Sequence, residues 1–131
     1  EIHAVHEGYL LDQFAISMFN QREDEYGGSL ENRLRFAREV VEEIKARCGA
    51  DFPVALRFSV KSMIKDWRVG ALPGEDFEEK GRDTEEGIEA AKLLVSYTMH
   101  LIRMLEHTMH GSGIIRQCIR RKDCSAPGAI W

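Results

Sequence analysis

Three protonatable side chains, His3, His6 and Tyr9, lie within seven consecutive positions near the start of the chain. Histidine and tyrosine both transfer protons in enzymes, so this spacing suits acid–base chemistry. A single histidine of this kind is more often a hydrogen-bonded structural group than a catalyst. Three such groups together make a catalytic site as good an interpretation as a structural one.

The sequence around these side chains predicts the end of a strand, a sharp turn and the start of a helix. The stretch from Ile2 to Val5 is typical of a buried strand, and Gly8 permits an abrupt change of direction. From Leu10 to Phe14, apolar residues recur at helical spacing. The protonatable groups therefore follow a strand, where α/β enzymes place their chemistry.

Two longer helices and a second strand follow. One helix is predicted to begin after the N-cap Ser29 and to end at Gly49. Its apolar stripe comprises Leu30, Leu34, Ala37, Val41 and Ile44, and Arg33, Arg38, Glu42 and Lys45 fall outside that stripe. Phe52 to Ser59 is predicted as a strand, and another helix is predicted from Asp83, with Glu86 completing a capping box. This alternation predicts an α/β fold with parallel strands.

The long connection from Val60 to Arg82 is predicted to be a loop, because most such connections have about 2–6 residues. Lys65 and Trp67 of this loop either face a substrate or pack within the loop and meet solvent. The second alternative is favoured. The helix after it has an inner face predicted to comprise Ile88, Ala91, Leu94 and Val95.

Arg57 is the charged residue of the second predicted strand. An unpaired buried charge costs on the order of 3–5 kcal/mol, so its guanidinium needs an anionic or strongly accepting partner. That partner is either a carboxylate on a neighbouring strand or a bound anion or cofactor.

Two long motifs carry a resemblance to a known family. EIHAVHEGYLLDQF (Glu1 to Phe14) and DEYGGSLENRLRF (Asp24 to Phe36), with Asn20 between them and Arg57 after them, resemble the Old Yellow Enzyme group of flavin oxidoreductases. The likeness is greatest to its iron–sulfur branch, which comprises 2-enoate reductase, 2,4-dienoyl-CoA reductase and the bile-acid enoyl oxidoreductases. It covers residues 1–97 and implies about the fourth and fifth βα units of a FMN-binding (β/α)8 TIM barrel.

The resemblance also implies a reaction and roles for four residues. The parent enzyme would reduce the C=C bond of α,β-unsaturated carbonyl compounds (enoates, enoyl-CoA thioesters or bile-acid enones) with NAD(P)H, through FMN. Tyr9 matches the tyrosine that protonates the α-carbon, while hydride reaches the β-carbon. His3 and His6 match donors that hold the carbonyl oxygen, and Arg57 matches the arginine at the N1–C2 edge of the flavin.

One departure from the pattern leaves a role open. Old Yellow Enzymes proper usually read His-x-x-(His/Asn)-Gly-Tyr, whereas here Glu7 is inserted before Gly8. The oxygen-holding role of His6 therefore stays open, and part of it falling to Glu7 is the alternative. FAD and a 4Fe–4S cluster are expected only in the full-length parent, and Cys118 and Cys124 do not match the cysteines of that cluster.

Composition limits the remaining possibilities. The 131 residues are 44% hydrophobic, as expected of one soluble domain, and the apolar runs are too short to cross a bilayer. A net charge of −4 argues against nucleic acid as a partner. Three cysteines without disulfide spacing suit a reducing cytoplasm, and no metal site is predicted. The chain begins inside a predicted strand, so a signal peptide is not expected and the start looks cut.

Residues 98–131 break the pattern. Residues 1–97 carry 13 Lys and Arg against 20 Asp and Glu, whereas residues 98–131 carry 5 against 2. Thr-Met-His occurs twice there. The family has Tyr-Asp-Ala twice, and codons for Tyr-Asp-Ala that are read with a displacement of one base give Thr-Met-His. We therefore expect a frameshift near codon 98, the alternative being a genuine basic tail that binds an acidic partner.

Three hypotheses follow for the whole chain: an inactive fragment of a flavin enoate reductase, a small independent enzyme, or an interaction module acting through its basic tail. The second is disfavoured because a TIM barrel needs about 250 residues and two strands do not form a stable sheet alone. Residues 51–83 favour 2-enoates or bile acids as substrates, by resemblance. The choice between NADH and NADPH and the oligomeric state stay open.

Overall fold

The computed structural model describes residues 1–4 and 8–98. Within these residues, seven elements follow one another: β1 (Ile2–His3), α1 (Leu10–Ala15), α2 (Leu30–Cys48), β2 (Leu56–Arg57), β3 (Ile64–Asp66), β4 (Val69–Gly70) and α3 (Thr84–Thr98). The predicted order of strand, helix, strand and helix is confirmed. The tail predicted to be a frameshift product lies outside the described residues, apart from Thr98 at the end of α3.

The strands β1 and β2 are parallel neighbours, with Ile2 opposite Leu56 and His3 opposite Arg57. Their ladder includes hydrogen bonds from the Ile2 amide to the Ala55 carbonyl at 2.7 Å and from the Ala4 amide to the Arg57 carbonyl at 2.9 Å. The strand predicted over 52–59 pairs with β1 only around these positions. Its first part includes Pro53, which has no amide hydrogen to donate to a ladder.

One face of this parallel pair packs against α2 and α3. The core consists of Ala4, Leu56 and Phe58 from the strands, Ala15 from α1, Leu34 and Ala37 from α2, and Ala90, Ala91 and Leu94 from α3. The predicted stripe of α2 is therefore confirmed. The predicted face of α3 was wrong at Ile88, which is 44% exposed, because the buried arc is formed by Ala90, Ala91 and Leu94.

The helix caps are those that the sequence predicts, with one difference. The Ser29 hydroxyl accepts a hydrogen bond from the Asn32 amide at 3.3 Å, and the Asp83 carboxylate accepts one from the Glu86 amide at 2.8 Å. The Glu86 side chain, predicted to complete a capping box, instead pairs with Arg33 of α2. Arg33, which lies outside the apolar stripe as predicted, is nevertheless buried, with 6% of its surface exposed.

The connection between β2 and α3 contains a short antiparallel hairpin, β3–β4, that the sequence analysis did not predict. The Glu79 carboxylate organises its base by accepting hydrogen bonds from the backbone amides of Met63, Ile64 and Gly81, at 2.8, 2.9 and 3.0 Å. At its tip, Trp67 is 54% exposed and its ring meets that of Phe19 edge-on at 5.5 Å. Trp67 thus meets solvent, as the favoured alternative predicted, but it packs on Phe19 of the segment between α1 and α2 and not within its own loop.

Within residues 1–4 and 8–98, no helix is long and apolar enough to span a membrane.

Candidate active site

His3 and Arg57 lie side by side on the face of the strand pair that the helices leave uncovered. Successive side chains of a strand point to opposite faces. Leu56 and Phe58 are 1% and 2% exposed and point into the helical core, so Arg57 between them points the other way. His3 is its register partner on β1 and shares that face.

Tyr9 is brought to the same end of the strands by the turn at Gly8. Tyr9 has an extended backbone and forms the N-cap of α1, and its side chain is 57% exposed. Its ring centroid lies 6.0 Å from that of His3. The expected grouping of a histidine and a tyrosine at the end of a strand is therefore present.

The turn depends on a backbone conformation that favours glycine. Gly8 has φ of +97°, and a Cβ placed there would lie 3.0 Å from the side-chain nitrogen of Gln13. That nitrogen donates a hydrogen bond to the Gly8 carbonyl at 2.9 Å. Gln13 of α1 thus closes the turn that presents Tyr9.

Arg57 has an unfulfilled hydrogen-bonding requirement. Its Nε atom is buried and has no hydrogen-bond partner among the residues that the structure describes. Leaving a buried donor unsatisfied costs about 1–3 kcal/mol, and more for a charged group. Of the two partners considered for this guanidinium, a carboxylate is not found in the described part of the chain. An electron-rich ring edge such as that of a flavin fits the free donor.

The residues between Ala4 and Gly8 are outside the described ranges. His6, predicted to hold the substrate oxygen, and Glu7, its alternative, are among them. Their roles stay predictions.

A network of buried charges, which the sequence analysis missed, lies below this site. Arg33 donates to both carboxylate oxygens of Glu86, at 3.2 and 2.7 Å, and to the Ala15 carbonyl at 2.5 Å. Arg82, 1% exposed, lies with its Nε 3.7 Å from Glu86 and donates to the Ser59 carbonyl at 3.0 Å. Burial lowers the pKa of Arg82, while the carboxylates of Asp12 and Glu86 act against that shift.

Asn20 lies in the segment that follows α1. Its amide nitrogen donates to the carbonyls of Phe14 and Tyr26 at 2.6 and 2.7 Å, and its oxygen accepts from the Arg22 amide at 3.0 Å. Each of these contacts is to the backbone of the chain. Asn20 therefore stabilises the loop between α1 and α2.

The chain is similar to known proteins over most of its length. The profile of a family described as "NADH:flavin oxidoreductase / NADH oxidase family" matches residues 1–98. The chain is 79% identical over 96 residues to a cinnamate reductase of Clostridium sporogenes, an alignment that covers 73% of this chain and 14% of that protein. It is 38% identical over 120 residues to 12-oxophytodienoate reductase 2 of Arabidopsis thaliana, covering 90% of this chain and 28% of the relative.

Among solved structures, the chain is similar to a 2-naphthoyl-CoA reductase in complex with 2-naphthoyl-CoA. The TM-score is 0.60 at 31% sequence identity, and the match covers 80% of this chain and 14% of that one. The chain thus spans about a seventh of the cinnamate reductase and about a seventh of the 2-naphthoyl-CoA reductase. The structures it matches are TIM-barrel flavoenzymes, and the described residues form a small α/β portion of such a fold.

Proposed function

The chain belongs to the NADH:flavin oxidoreductase / NADH oxidase family, and we propose that it is a segment of an FMN-dependent reductase of conjugated C=C bonds. Relatives named for enoate and enone reduction support this reaction class. The single structural observation that carries the proposal is the buried, unsatisfied Nε of Arg57 on the strand face that it shares with His3.

The proposed mechanism assigns one task to each residue of the site. When bound, FMN would supply the hydride, taken originally from NAD(P)H, that the β-carbon of the substrate receives. Tyr9 donates its phenolic proton to the α-carbon and so acts as the general acid. His3, together with His6 or Glu7, holds the carbonyl oxygen while negative charge develops on it. Arg57 would help to hold the flavin, because its buried Nε has a hydrogen bond left to donate.

For the substrate we propose a 2-enoate, in particular an arylacrylate, with the bile-acid enones and enoyl-CoA thioesters as other members of the same chemical class. The 79% identity to a cinnamate reductase supports this choice. An arylacrylate and its coenzyme A thioester have the same conjugated C=C–C=O unit. Comparing the turnover of the two by one enzyme therefore distinguishes acid from thioester specificity.

We propose that residues 1–97 form about the fourth and fifth βα units of a barrel completed by other parts of a longer protein. Two neighbouring parallel strands with their covering helices are what such units contain. The described strands expose one face bearing His3 and Arg57, which in a closed barrel would line the interior. Alone, the 131 residues are then inactive.

For the tail we propose a frameshift near codon 98. The change in charge and the repeated Thr-Met-His support it. The Arabidopsis alignment, which covers 90% of the chain, necessarily reaches beyond residue 98 and supports an in-frame continuation instead. The nucleotide sequence of codons 90–131 decides: realignment by one base supports the frameshift, and a sound frame with a stop after Trp131 supports an interaction module with a basic tail.

The function is tested in a full-length reductase that carries this segment. Such a protein is encoded by the repaired gene, or is made by replacing the matching 96 residues of Clostridium sporogenes cinnamate reductase with those of this chain. We expect bound FMN and NAD(P)H-dependent reduction of an arylacrylate. Bound flavin without reduction of any enoate, thioester or enone would contradict the proposal.

A further inference from the structure

The buried charges below the site form a continuous series of contacts from α1 to the end of β2. The Ala15 carbonyl accepts from Arg33, and Arg33 binds Glu86 through two hydrogen bonds. Glu86 also lies near Arg82, which in turn donates to the Ser59 carbonyl. We call this series, Ala15–Arg33–Glu86–Arg82–Ser59, the buried bridge.

The two ends of the buried bridge are attached to the two halves of the site. Ala15 is the last residue of α1, the six-residue helix that has Tyr9 as its N-cap. Ser59 follows β2 by two positions, and β2 ends at Arg57. A displacement at either end of the bridge therefore changes the spacing between Tyr9 and Arg57.

Glu86 is the shared member, because Arg33 hydrogen-bonds its carboxylate and the Arg82 Nε lies 3.7 Å from it, without a hydrogen bond. The side chains of Arg33 and Arg82 are 6% and 1% exposed, and that of Glu86 is 24% exposed. Removing one partner from a buried ion pair leaves the other charge uncompensated, which is strongly destabilising. Arg82 has further support from the ring of Phe58, whose centroid lies 4.6 Å from the guanidinium carbon.

We propose that Glu86 is a positioning residue for proton delivery, acting through the buried bridge to hold α1, and with it Tyr9, at a fixed place relative to Arg57. The link to proton delivery rests on the proposed function, whereas the mechanical role of Glu86 does not. Glu86 touches neither substrate nor flavin in this scheme. Its effect is transmitted by Arg33 to the Ala15 carbonyl.

The test substitutes Glu86→Gln in the full-length, flavin-loaded reductase, with Glu85→Gln as the matched control. Glu85 is exposed and lies in the same first turn of α3. Glu85→Gln removes one negative charge, as Glu86→Gln does. Hydrogen–deuterium exchange is measured on a peptide covering α1. The reduced flavin is then reoxidised in separate experiments by cinnamate, which needs the proton from Tyr9, and by dioxygen, which does not.

We expect Glu86→Gln to speed exchange in the α1 peptide at least fivefold and to slow reoxidation by cinnamate at least tenfold. Reoxidation by dioxygen and all properties of Glu85→Gln should stay within twofold of the parent. Unchanged exchange in α1, or an equal loss with both oxidants, would overturn the positioning role. If Glu86→Gln does not fold, Arg33→Lys, which keeps the charge but not the two-pronged contact, is assayed in the same way with the same criteria.

The two proposals fail separately. If the parent reductase reduces no conjugated C=C bond, the proposed function is wrong. The exchange of the α1 peptide in Glu86→Gln still decides whether the buried bridge holds α1.

Discussion

The proposed chemistry depends on the phenol group of Tyr9. Tyr9→Phe keeps the ring beside His3 and removes the transferable proton. We expect alkene reduction by the full-length reductase to fall by about 10²–10⁴-fold, the usual contribution of general acid catalysis, with FMN still bound. Steady-state turnover of cinnamate and the flavin absorbance measure the two properties.

Tyr26→Phe is the matched control for this substitution. The Tyr26 hydroxyl bonds the Glu39 carboxylate at 3.0 Å, which raises the pKa of that phenol through the hydrogen bond. Turnover should be unaffected by its loss. Tyr9→Phe turnover equal to that of the parent would remove Tyr9 from the mechanism.

Arg57 gives a second prediction, for cofactor binding. Arg57→Met removes the buried guanidinium, and loss of a hydrogen bond to a charged group costs about 1.5–3 kcal/mol. We expect the Kd for FMN to rise by about tenfold to 100-fold in the full-length reductase. Fluorescence titration of the flavin-free protein with FMN measures it.

Arg68→Met is the control for charge, because Arg68 is exposed in the turn between β3 and β4. Its Kd for FMN should equal that of the parent. If the parent, Arg57→Met and Arg68→Met bound FMN with equal affinity, the partner of Arg57 would be a carboxylate elsewhere in the full-length protein.

Among the elements, the turn before α1 has the most direct connection to function. Gly8→Ala places a Cβ 3.0 Å from the Gln13 amide nitrogen and forces a left-handed backbone on alanine. We expect a loss of about 1–2 kcal/mol of stability and a tenfold or greater loss of cinnamate turnover, since Tyr9 follows directly. Denaturant unfolding and steady-state kinetics measure these effects.

Gly28→Ala is the control that separates the effect of backbone strain from the effect on the position of Tyr9. Gly28 has φ of +76°, and a Cβ there would have no neighbour within 4 Å. It should lose similar stability while cinnamate turnover stays within twofold. Parallel losses of turnover in both variants would show that Gly8 contributes only stability.

The helices could be predicted because their signals are local. The N-cap Ser29, the stripe from Leu34 to Val41 and the terminating Gly49 all lie in or next to α2, and the structure contains each as expected. The β3–β4 hairpin could not be predicted, because its base depends on Glu79. The Glu79 carboxylate binds the backbone amides of Met63 and Ile64, which lie 16 and 15 residues before it in the chain. A sequence pattern does not show such a pairing.

At the scale of the whole molecule, the chain leaves apolar surface uncovered. Leu10, Phe52, Leu72 and Ile88 are 44–68% exposed, and β1 and β2 have only each other as neighbours among the described strands. Exposed apolar surface and free strand edges promote association. We expect the isolated 131-residue chain to bind no FMN and to self-associate. Equilibrium dialysis with FMN and light scattering test this, and binding near one FMN per chain would support an independent enzyme.

The sequence by itself determined the family, the order of strands and helices, and the residue types available for proton transfer, because motifs, caps and periodicity are local properties of the chain. Only the tertiary structure decided that His3 and Arg57 share one face, that the Arg57 Nε is left without a partner in the described region, and that Arg33 is buried. The bond between Arg33 and Glu86 joins residues 53 positions apart. Such contacts depend on how the elements pack. From the sequence alone, an arginine outside the apolar stripe looks the same whether its side chain faces solvent or binds a distant carboxylate.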